Sequence, residues 1–332
     1  MQRGSATEES DQRQTRDVVE RVVELSPQLR LATQYEARLS KAAKAALDYV
    51  GRMVDDLPGA REVSAAAWSA DRQIHAFFAA PDDIARAFSG SHVLRAFFDE
   101  HPGADEAFAV LGMALSERRV LGAREEAGIV RTDVPITTVS FGDHQVGLCA
   151  STEEELRDEL VLRVIDQLAL AALAQVEADA SRRESLVQER ALLKVRLQLL
   201  ERGGLGMDSV WGGGVPAETG DRASLQARID ENDRELAGLG LATDALEREL
   251  KVVCDVLADP ASHVSVESRQ LRLDRMNVVV DEGAGDGVLI EFEVARIPTS
   301  PPRIRAFALV RFARADLLRA TTFAEAASKL VI

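Results

Sequence analysis

Residues 225–257, LQARIDENDRELAGLGLATDALERELKVVCDVL, decide the fold of this chain. Alternating steps of four and three residues place ten positions of this stretch on one helical face, and eight of the ten are aliphatic. These positions are Leu225, Ile229, Asn232, Leu236, Leu239, Thr243, Leu246, Leu250, Val253 and Leu257. A seam kept over this length predicts one long helix that packs lengthwise against another helix. The polar residues Asn232 and Thr243 either fix the register of the seam or are tolerated imperfections.

A second long helix is predicted upstream of the seam. Residues 151–154 (STEE) have the S-x-x-E spacing of a capping box, and no breaker follows before Arg202. The part of this helix from residue 177 is highly charged, as expected of a helix that stands in water. A connector of about 18 residues lets the two helices fold back on one another at low entropic cost. We therefore predict an antiparallel coiled-coil hairpin over residues 177–247, with a glycine-rich tip at residues 203–220.

The sequence on both sides of this hairpin predicts one globular head. We divide the flanks into N-terminal helices (residues 1–60), an α+β part with short helices and a β-hairpin (61–176), and a C-terminal antiparallel sheet (248–332) that completes the head. The predicted fold class is thus α+β, with a mixed helical and antiparallel-sheet head interrupted by a long antiparallel coiled-coil hairpin.

The middle part of the head contains a change of period. Residues 81–117 show three short helical patterns, whereas residues 119–148 read as two or three short strands, with turns near residues 126–128 and 142–144. Helices followed by a β-hairpin are the outline of a winged helix, which is one interpretation of residues 81–149. Many other small α+β domains share that outline.

The C-terminal part alternates apolar and polar residues over 288–294 and again over 304–312, which predicts two antiparallel strands around a turn at residues 298–302. Pairing Ile297 with Arg303 places residue 293 opposite residue 307. In that register Glu291 and Glu293 share a sheet face with Arg305 and Arg311, so we expect these charges to meet diagonally.

Composition favours a soluble cytoplasmic protein. The formal net charge of −15 opposes binding to nucleic acid over most of the surface, although residues 261–332 carry ten basic and nine acidic residues. The two cysteines, Cys149 and Cys254, do not form a disulfide framework, which favours a reducing compartment. The polar first residues and the interrupted apolar stretches predict neither a signal peptide nor a membrane span.

The sequence offers no recognisable catalytic, cofactor or metal site, and we expect none. The five histidines lack zinc-ligand spacing, and Asp143 and His144 near Ser140 lack the G-x-S-x-G context of a hydrolase serine. The loop at residues 281–287 has glycines where a calcium loop needs carboxylates. The glycines of residues 203–214 lack the lysine and hydroxyl residue of a phosphate-binding loop.

These observations lead to a functional hypothesis and its alternatives. We expect a cytoplasmic, non-enzymatic adaptor or scaffold that binds a protein partner through the coiled-coil hairpin. The candidate contact residues at its tip are Leu205, Met207, Val210 and Trp211, which could equally belong to a simple linker. The alternatives are an enzyme with an unrecognised site, or a nucleic-acid-associated accessory protein that binds through the C-terminal arginines or through the arginines of the first hairpin. The arginines of that hairpin are Arg118, Arg119, Arg124 and Arg131.

Overall fold

The computed structural model of this chain describes residues 2–126, 129–203, 217–239, 244–280, 287–297 and 303–319, with side chains except at residues 2–11, 123–126, 129–131, 201–203 and 217–220. The helices within these ranges are α1 (Gln2–Leu25), α2 (Tyr35–Asp55), α3 (Ala65–Ala70), α4 (Arg72–Phe77), α5 (Pro81–Gly90), α6 (His92–Glu100), α7 (Glu153–Gly203), α8 (Ala217–Gly238) and α9 (Ala245–Ala258). The strands are β1 (Arg61–Glu62), β2 (Glu106–Glu126), β3 (Ile129–Ala150), β4 (Ser265–Leu273), β5 (Val288–Ile297) and β6 (Arg303–Ala313). The fold is α+β, as the sequence predicted.

The chain divides into two compact units. A helical unit comprises residues 1–44 and 169–258, and an α+β unit comprises residues 45–168 and 259–332. The boundaries between the units fall inside α2, inside α7 and directly after α9.

In the helical unit, α7 and α8 run antiparallel. Arg182 of α7 forms an ion pair with Glu235 of α8 at 2.6 Å, and Arg222 of α8 donates to the carbonyl oxygen of Leu200 of α7. Later positions of α7 therefore contact earlier positions of α8. Buried Leu193, Leu225 and Ile229 pack together between the two helices, and Leu197 and Leu200 lie against them. Further ion pairs flank this apolar seam, namely Arg190 with Asp233 and Arg228 with Glu189.

The predicted long helix upstream of the tip is confirmed, because α7 has 51 residues. Its cap lies one residue later than the predicted S-x-x-E pattern. The hydroxyl of Thr152 accepts a hydrogen bond from the backbone N–H of Glu155 at 3.1 Å, and the carboxylate of Glu155 accepts one from the N–H of Ser151 at 3.1 Å. Thr152 and Glu155 therefore satisfy backbone donors at the start of the helix.

The prediction of one continuous returning helix is wrong. The α8 helix ends at Gly238, and α9 begins at Ala245. Glycine at position 238 weakens the helix, and the guanidinium groups of Arg183 and Arg248 both donate to the carbonyl oxygen of Leu239, which satisfies a backbone acceptor beyond the end of α8. The aliphatic seam thus continues across two helices instead of one.

The α+β unit is built on a six-stranded sheet. Five strands follow the order β3-β2-β6-β5-β4 with antiparallel neighbours, and the short β1 pairs parallel with β6. The helices α4, α5 and α6 supply buried side chains to the core on one sheet face, including Phe77, Phe88 and Leu94. Phe88 stacks on Phe312 of β6 with ring centroids 4.7 Å apart.

One predicted helical pattern is a strand. The sequence placed Phe108, Leu111 and Leu115 in the third helical pattern of residues 81–117, but these residues lie in β2. The buried positions follow a period of two, because the side chains that enter the core are those of Ala107, Ala109, Leu111 and Met113. The spacing of Phe108, Leu111 and Leu115 fits a helix, yet only Leu111 of the three is fully buried.

The first hairpin is longer than predicted. Instead of two or three short strands, β2 and β3 have 21 and 22 residues, and the predicted turn at residues 142–144 lies inside β3. There the strand bulges: Asp143 has a φ of 47°, and the register shifts between the partners of Gly112 and Ala114. The winged-helix interpretation of residues 81–149 stays a prediction, while the structure joins this hairpin to β6 in the larger sheet.

The two predicted C-terminal strands are confirmed as β5 and β6. Their register is also the predicted one, because Ile297 pairs with Arg303 and Glu293 pairs with Phe307. The predicted turn at residues 298–302 lies outside the described residues, as do residues 281–286 of the connection between β4 and β5.

Candidate functional site

A row of exposed aliphatic side chains lies on α7. Leu192, Val195 and Leu199 are 71%, 54% and 64% exposed, and they follow one another at steps of three and four residues. We call these three residues the outer stripe. Such spacing on an α-helix places side chains on one face, one above the other.

The outer stripe is distinct from the seam that pairs α7 with α8. Leu186 and Leu193 are each 6% exposed, and Leu193 packs against Leu225 and Ile229 of α8. At 100° per residue, Val195 lies roughly opposite Leu186 and Leu193 on the helix surface. The α7 helix therefore has two aliphatic faces, one covered by α8 and one exposed.

The charges near the outer stripe are mainly basic. Arg196 is exposed beside Val195, whereas Arg190 and Glu189 are engaged with Asp233 and Arg228 of α8. An exposed aliphatic row of this kind is the feature that an amphipathic partner helix packs against. The sequence reasoning missed this row because it followed only the seam, although the spacing of Leu192, Val195 and Leu199 was visible beside it.

The residues proposed for the tip lie outside the described residues. They are Leu205, Met207, Val210 and Trp211, all within residues 204–216. Their role as partner contacts stays a prediction.

The predicted seam residues lie on α8 and α9, except Leu239, which follows the end of α8, and Thr243, which lies outside the described residues. The buried ones are Leu225, Ile229, Asn232, Leu250, Val253 and Leu257, and the half-buried ones are Leu236, Leu239 and Leu246. Asn232 is 4% exposed, and within the described part of the chain its Oδ1 atom has no hydrogen-bond partner.

The arginines of the first hairpin do not form one described patch. Arg118 and Arg119 are exposed neighbours on β2, and successive side chains of a strand point to opposite faces. Arg124 and Arg131 pair through their backbones across the hairpin, but their side chains lie outside the described ones.

The predicted contacts between Glu291 or Glu293 and the C-terminal arginines are wrong. Arg305 donates to Asp143 on β3 at 2.8 Å, and Arg311 pairs with Glu62 and Glu106 at 3.5 and 3.4 Å. Arg305 and Arg311 each reach a carboxylate on the side of β6 that borders β2, and Arg311 also reaches Glu62 of β1.

The two glutamates of β5 have different environments. The carboxylate of Glu291 accepts hydrogen bonds from Ser268 and Gln270 of β4 at 2.9 and 3.1 Å, which lowers its pKa. Burial raises the pKa of Glu293, which is 9% exposed. Arg305 and Arg311 are thus already paired to carboxylates.

Asp143, His144 and Ser140 do not assemble a hydrolytic triad. The carboxylate of Asp143 is bound by Arg305 and Gln145, and both contacts lower its pKa. His144 places Nε2 2.8 Å from the carbonyl oxygen of Phe77 and stacks on Phe78 at 4.4 Å. Among the described residues, no group of three histidine, cysteine, aspartate or glutamate side chains is placed to hold a metal ion.

The two cysteines are both free thiols. Burial raises the pKa of Cys149 to about 12, and burial also raises the pKa of Cys254. A reactive cysteine needs a lowered pKa, because the thiolate is the nucleophile. Neither environment activates a thiolate near neutral pH.

In the described part of the chain, no helix has both the length and the apolar character that crossing a membrane requires. Comparison with family models, with curated proteins and with solved structures gives no match to this chain.

Proposed function

We propose that this protein is a non-enzymatic cytoplasmic adaptor, and that it binds an amphipathic helix of a protein partner along α7. The observation that carries the proposal is the outer stripe of Leu192, Val195 and Leu199, which is more than half exposed along one helical face. Exposure of these aliphatic side chains to water costs free energy. A partner helix that covers them removes this cost.

The pairing of α7 with α8 supports this role. Ion pairs and a buried aliphatic cluster join the two helices, so α7 does not need its outer face to stay folded. Because α8 packs against one side of α7, the other side of α7 has a fixed geometry, which lowers the entropic cost of binding. The tip residues Leu205, Met207, Val210 and Trp211 extend the same proposal as a second contact.

The side chains that suggested chemistry also support a non-catalytic role. Asp143 and His144 are held by Arg305 and by the carbonyl of Phe77, and both thiols have raised pKa values. These groups are engaged in structural contacts instead of facing a common cleft.

The test uses the full-length chain with a photo-crosslinking amino acid at position 188, next to the outer stripe, in cells of the source organism. We compare the parent protein with the triple variant Leu192→Gln, Val195→Gln and Leu199→Gln, since glutamine preserves helix propensity. A matched control, Leu121→Gln with Ile304→Gln, removes side chains that are 71% and 67% exposed in the α+β unit.

We expect a discrete crosslinked partner with the parent and the control, and its loss in the triple variant at unchanged thermal stability. Crosslinking of the same partner by the triple variant at parental yield would contradict the proposal.

A further inference from the structure

A polar groove lies in the helical unit between α1 and α2. Its lining consists of Gln12, Thr15, Arg16 and Val19 from α1 and of Glu36, Ser40, Lys41 and Lys44 from α2. The groove is open and has a volume of about 550 Å³. That size is within the range of small-molecule sites.

The helical period explains why these residues meet. Gln12, Thr15, Arg16 and Val19 fall on one face of α1, and Ser40, Lys41 and Lys44 fall on neighbouring positions of α2. Beneath them, apolar residues of both helices are buried, among them Val18, Val22 and Leu39. The polar residues of both helices line the groove.

The charge of the groove is opposite to that of the chain. Arg16, Lys41 and Lys44 supply three positive charges against the single carboxylate of Glu36, whereas the whole chain carries −15. Lys41 and Lys44 are three residues apart, so they are neighbours on the helix surface and repel one another. Among the side chains that the structure describes, no carboxylate forms an ion pair with Arg16, Lys41 or Lys44.

Several other arginines of the described chain have carboxylate partners. Arg38, on the same helix, is paired with Glu247 at 2.7 Å, and Arg305 and Arg311 are paired with carboxylates in the α+β unit. Three cations that share a groove with a single carboxylate are stabilised by a bound anion. Ser40 and Gln12 add neutral hydrogen-bond donors to the same lining.

We infer that this groove binds a small anion that carries several phosphate charges, such as a linear polyphosphate. Arginine and lysine donate charge-assisted hydrogen bonds to phosphate oxygens, and the net positive lining suits at least two negative charges. A long nucleic acid is disfavoured by the net charge of −15. The lining includes no aromatic side chain on which a base could stack, so the phosphates themselves are recognised. This inference does not depend on the proposed adaptor role.

The test is calorimetric titration of the full-length chain with sodium tripolyphosphate at low ionic strength. The variant is Lys41→Gln with Lys44→Gln, and the matched control is Lys194→Gln with Arg196→Gln, which removes the same charge from exposed positions of α7. We expect saturable binding that the groove variant weakens by about tenfold or more, because contacts to phosphate oxygens are lost, while the control stays within about twofold. Thermal unfolding in the absence of ligand should be the same for the parent and the groove variant.

Two results would overturn the inference. One is the absence of saturable tripolyphosphate binding by the parent protein. The other is equal weakening by the groove variant and the control, which would show that binding follows net charge and not the groove.

Parallel titrations with adenosine triphosphate and with single-stranded DNA identify the source of the phosphates. Tighter binding of DNA than of tripolyphosphate would contradict recognition of a small anion.

Discussion

Arg305 on β6 donates one hydrogen bond to the carboxylate of Asp143 at 2.8 Å and another to its backbone carbonyl oxygen at 2.6 Å. Asp143 lies on β3, and β2 runs between β3 and β6 in the sheet. The arginine therefore reaches across an entire strand to a residue whose φ of 47° lies in the left-handed region. The pair connects strand β6 to the bulge of β3.

The first prediction separates the charge of Asp143 from its backbone conformation. Replacing Asp143 by Asn should lower the free energy of unfolding by less than about 1 kcal/mol, because asparagine tolerates the left-handed region and the carboxylate is exposed. Replacing it by Val should cost clearly more, since a β-branched residue is strained at positive φ. Urea unfolding of both variants gives the comparison. Equal losses for Asn and Val would show that the bulge relaxes.

The second prediction concerns Gly112, the residue of β2 that Arg305 passes. A Cβ atom at this position would lie 3.7 Å from Nε of Arg305 and 3.7 Å from the carbonyl oxygen of Gln145, which is ordinary contact. Gly112→Ala should therefore be tolerated, whereas Gly112→Leu should destabilise the fold by about 1–3 kcal/mol through overpacking. The loss should shrink when Arg305→Ala is added. If the losses in the free energy of unfolding for Gly112→Leu and Arg305→Ala are additive in a double-mutant cycle, the side chain of Arg305 does not pass over Gly112.

The third prediction concerns Arg157, which lies near the start of α7 and binds the end of α2. Its guanidinium donates to the carbonyl oxygens of Val54, Leu57 and Pro58 and to the carboxylate of Glu153. Arg157→Ala leaves several acceptors without a donor, so we expect a loss of about 2–3 kcal/mol in the free energy of unfolding. Arg157→Lys should recover part of it, because an ammonium group cannot reach all these acceptors at once.

A matched control for Arg157 is Arg163→Ala on the same helix. The side chain of Arg163 is 58% exposed and pairs with Glu159 along the helix, so its removal should cost less than about 0.5 kcal/mol. Denaturant unfolding of the three variants gives these values. Similar losses for Arg157→Ala and Arg163→Ala would show that the contacts to the end of α2 contribute nothing.

The sequence predicted those parts of the fold that depend on local period and spacing. The helix α7 and the register of Ile297 with Arg303 follow from such patterns. The helical interpretation of Phe108, Leu111 and Leu115 failed because their spacing follows a helical period, whereas the buried positions of β2, from Ala107 to Met113, alternate with a period of two. Just beyond the end of α8, the carbonyl oxygen of Leu239 accepts hydrogen bonds from Arg183 and Arg248, and no local pattern of the sequence predicts this meeting.

The candidate sites were less accessible from the sequence. Arg305 was predicted to contact glutamates of the neighbouring strand, but its partner lies two strands away and is set by the sheet order. The cations Arg16, Lys41 and Lys44 lie within 28 positions of one another in the sequence. They share one groove because Arg16 on α1 and the two lysines on α2 line the same space. The outer stripe was visible as spacing, but its exposure depends on which face of α7 the α8 helix covers.

The fourth prediction is a dependence of stability on pH through Glu247. Its carboxylate accepts a hydrogen bond from the N–H of Thr33 and forms an ion pair with Arg38, and these contacts lower its pKa from 4.5 to about 2. Because the folded pKa is depressed, the contribution of Glu247 is fully present above pH 4.5 and is lost as pH falls through about 2. The difference in urea midpoint between the parent and Glu247→Gln should therefore vanish over this range.

A control for this titration is the variant Arg38→Ala, which removes one of the two partners of Glu247. The pH dependence should weaken in this variant but persist, because the N–H of Thr33 still donates to the carboxylate. A midpoint difference between the parent and Glu247→Gln that stays constant from pH 6 to pH 2 would contradict the assignment.

The last prediction concerns Asn232, whose buried side chain lies in the seam between α8 and α7 and lines a groove with Ser185 and Leu186. Its Oδ1 atom has no hydrogen-bond partner among the described residues, and a buried acceptor of this kind costs about 1–3 kcal/mol. Asn232→Leu should therefore raise the free energy of unfolding by about that amount. At the same time it should weaken the register of the two helices, because a buried polar residue disfavours alternative alignments.

Distances between spin labels at the exposed positions 188 and 227 report on this register. We expect one narrow distribution for the parent and a broader one for Asn232→Leu, while Asn232→Ala, which removes the polar group without filling its space, should be less stable than the leucine variant. A leucine variant that is less stable than the parent would show that water satisfies Oδ1. A stabilised variant with an unchanged distance would show that the flanking ion pairs of Arg182 and Arg190, and not Asn232, set the register of α7 and α8.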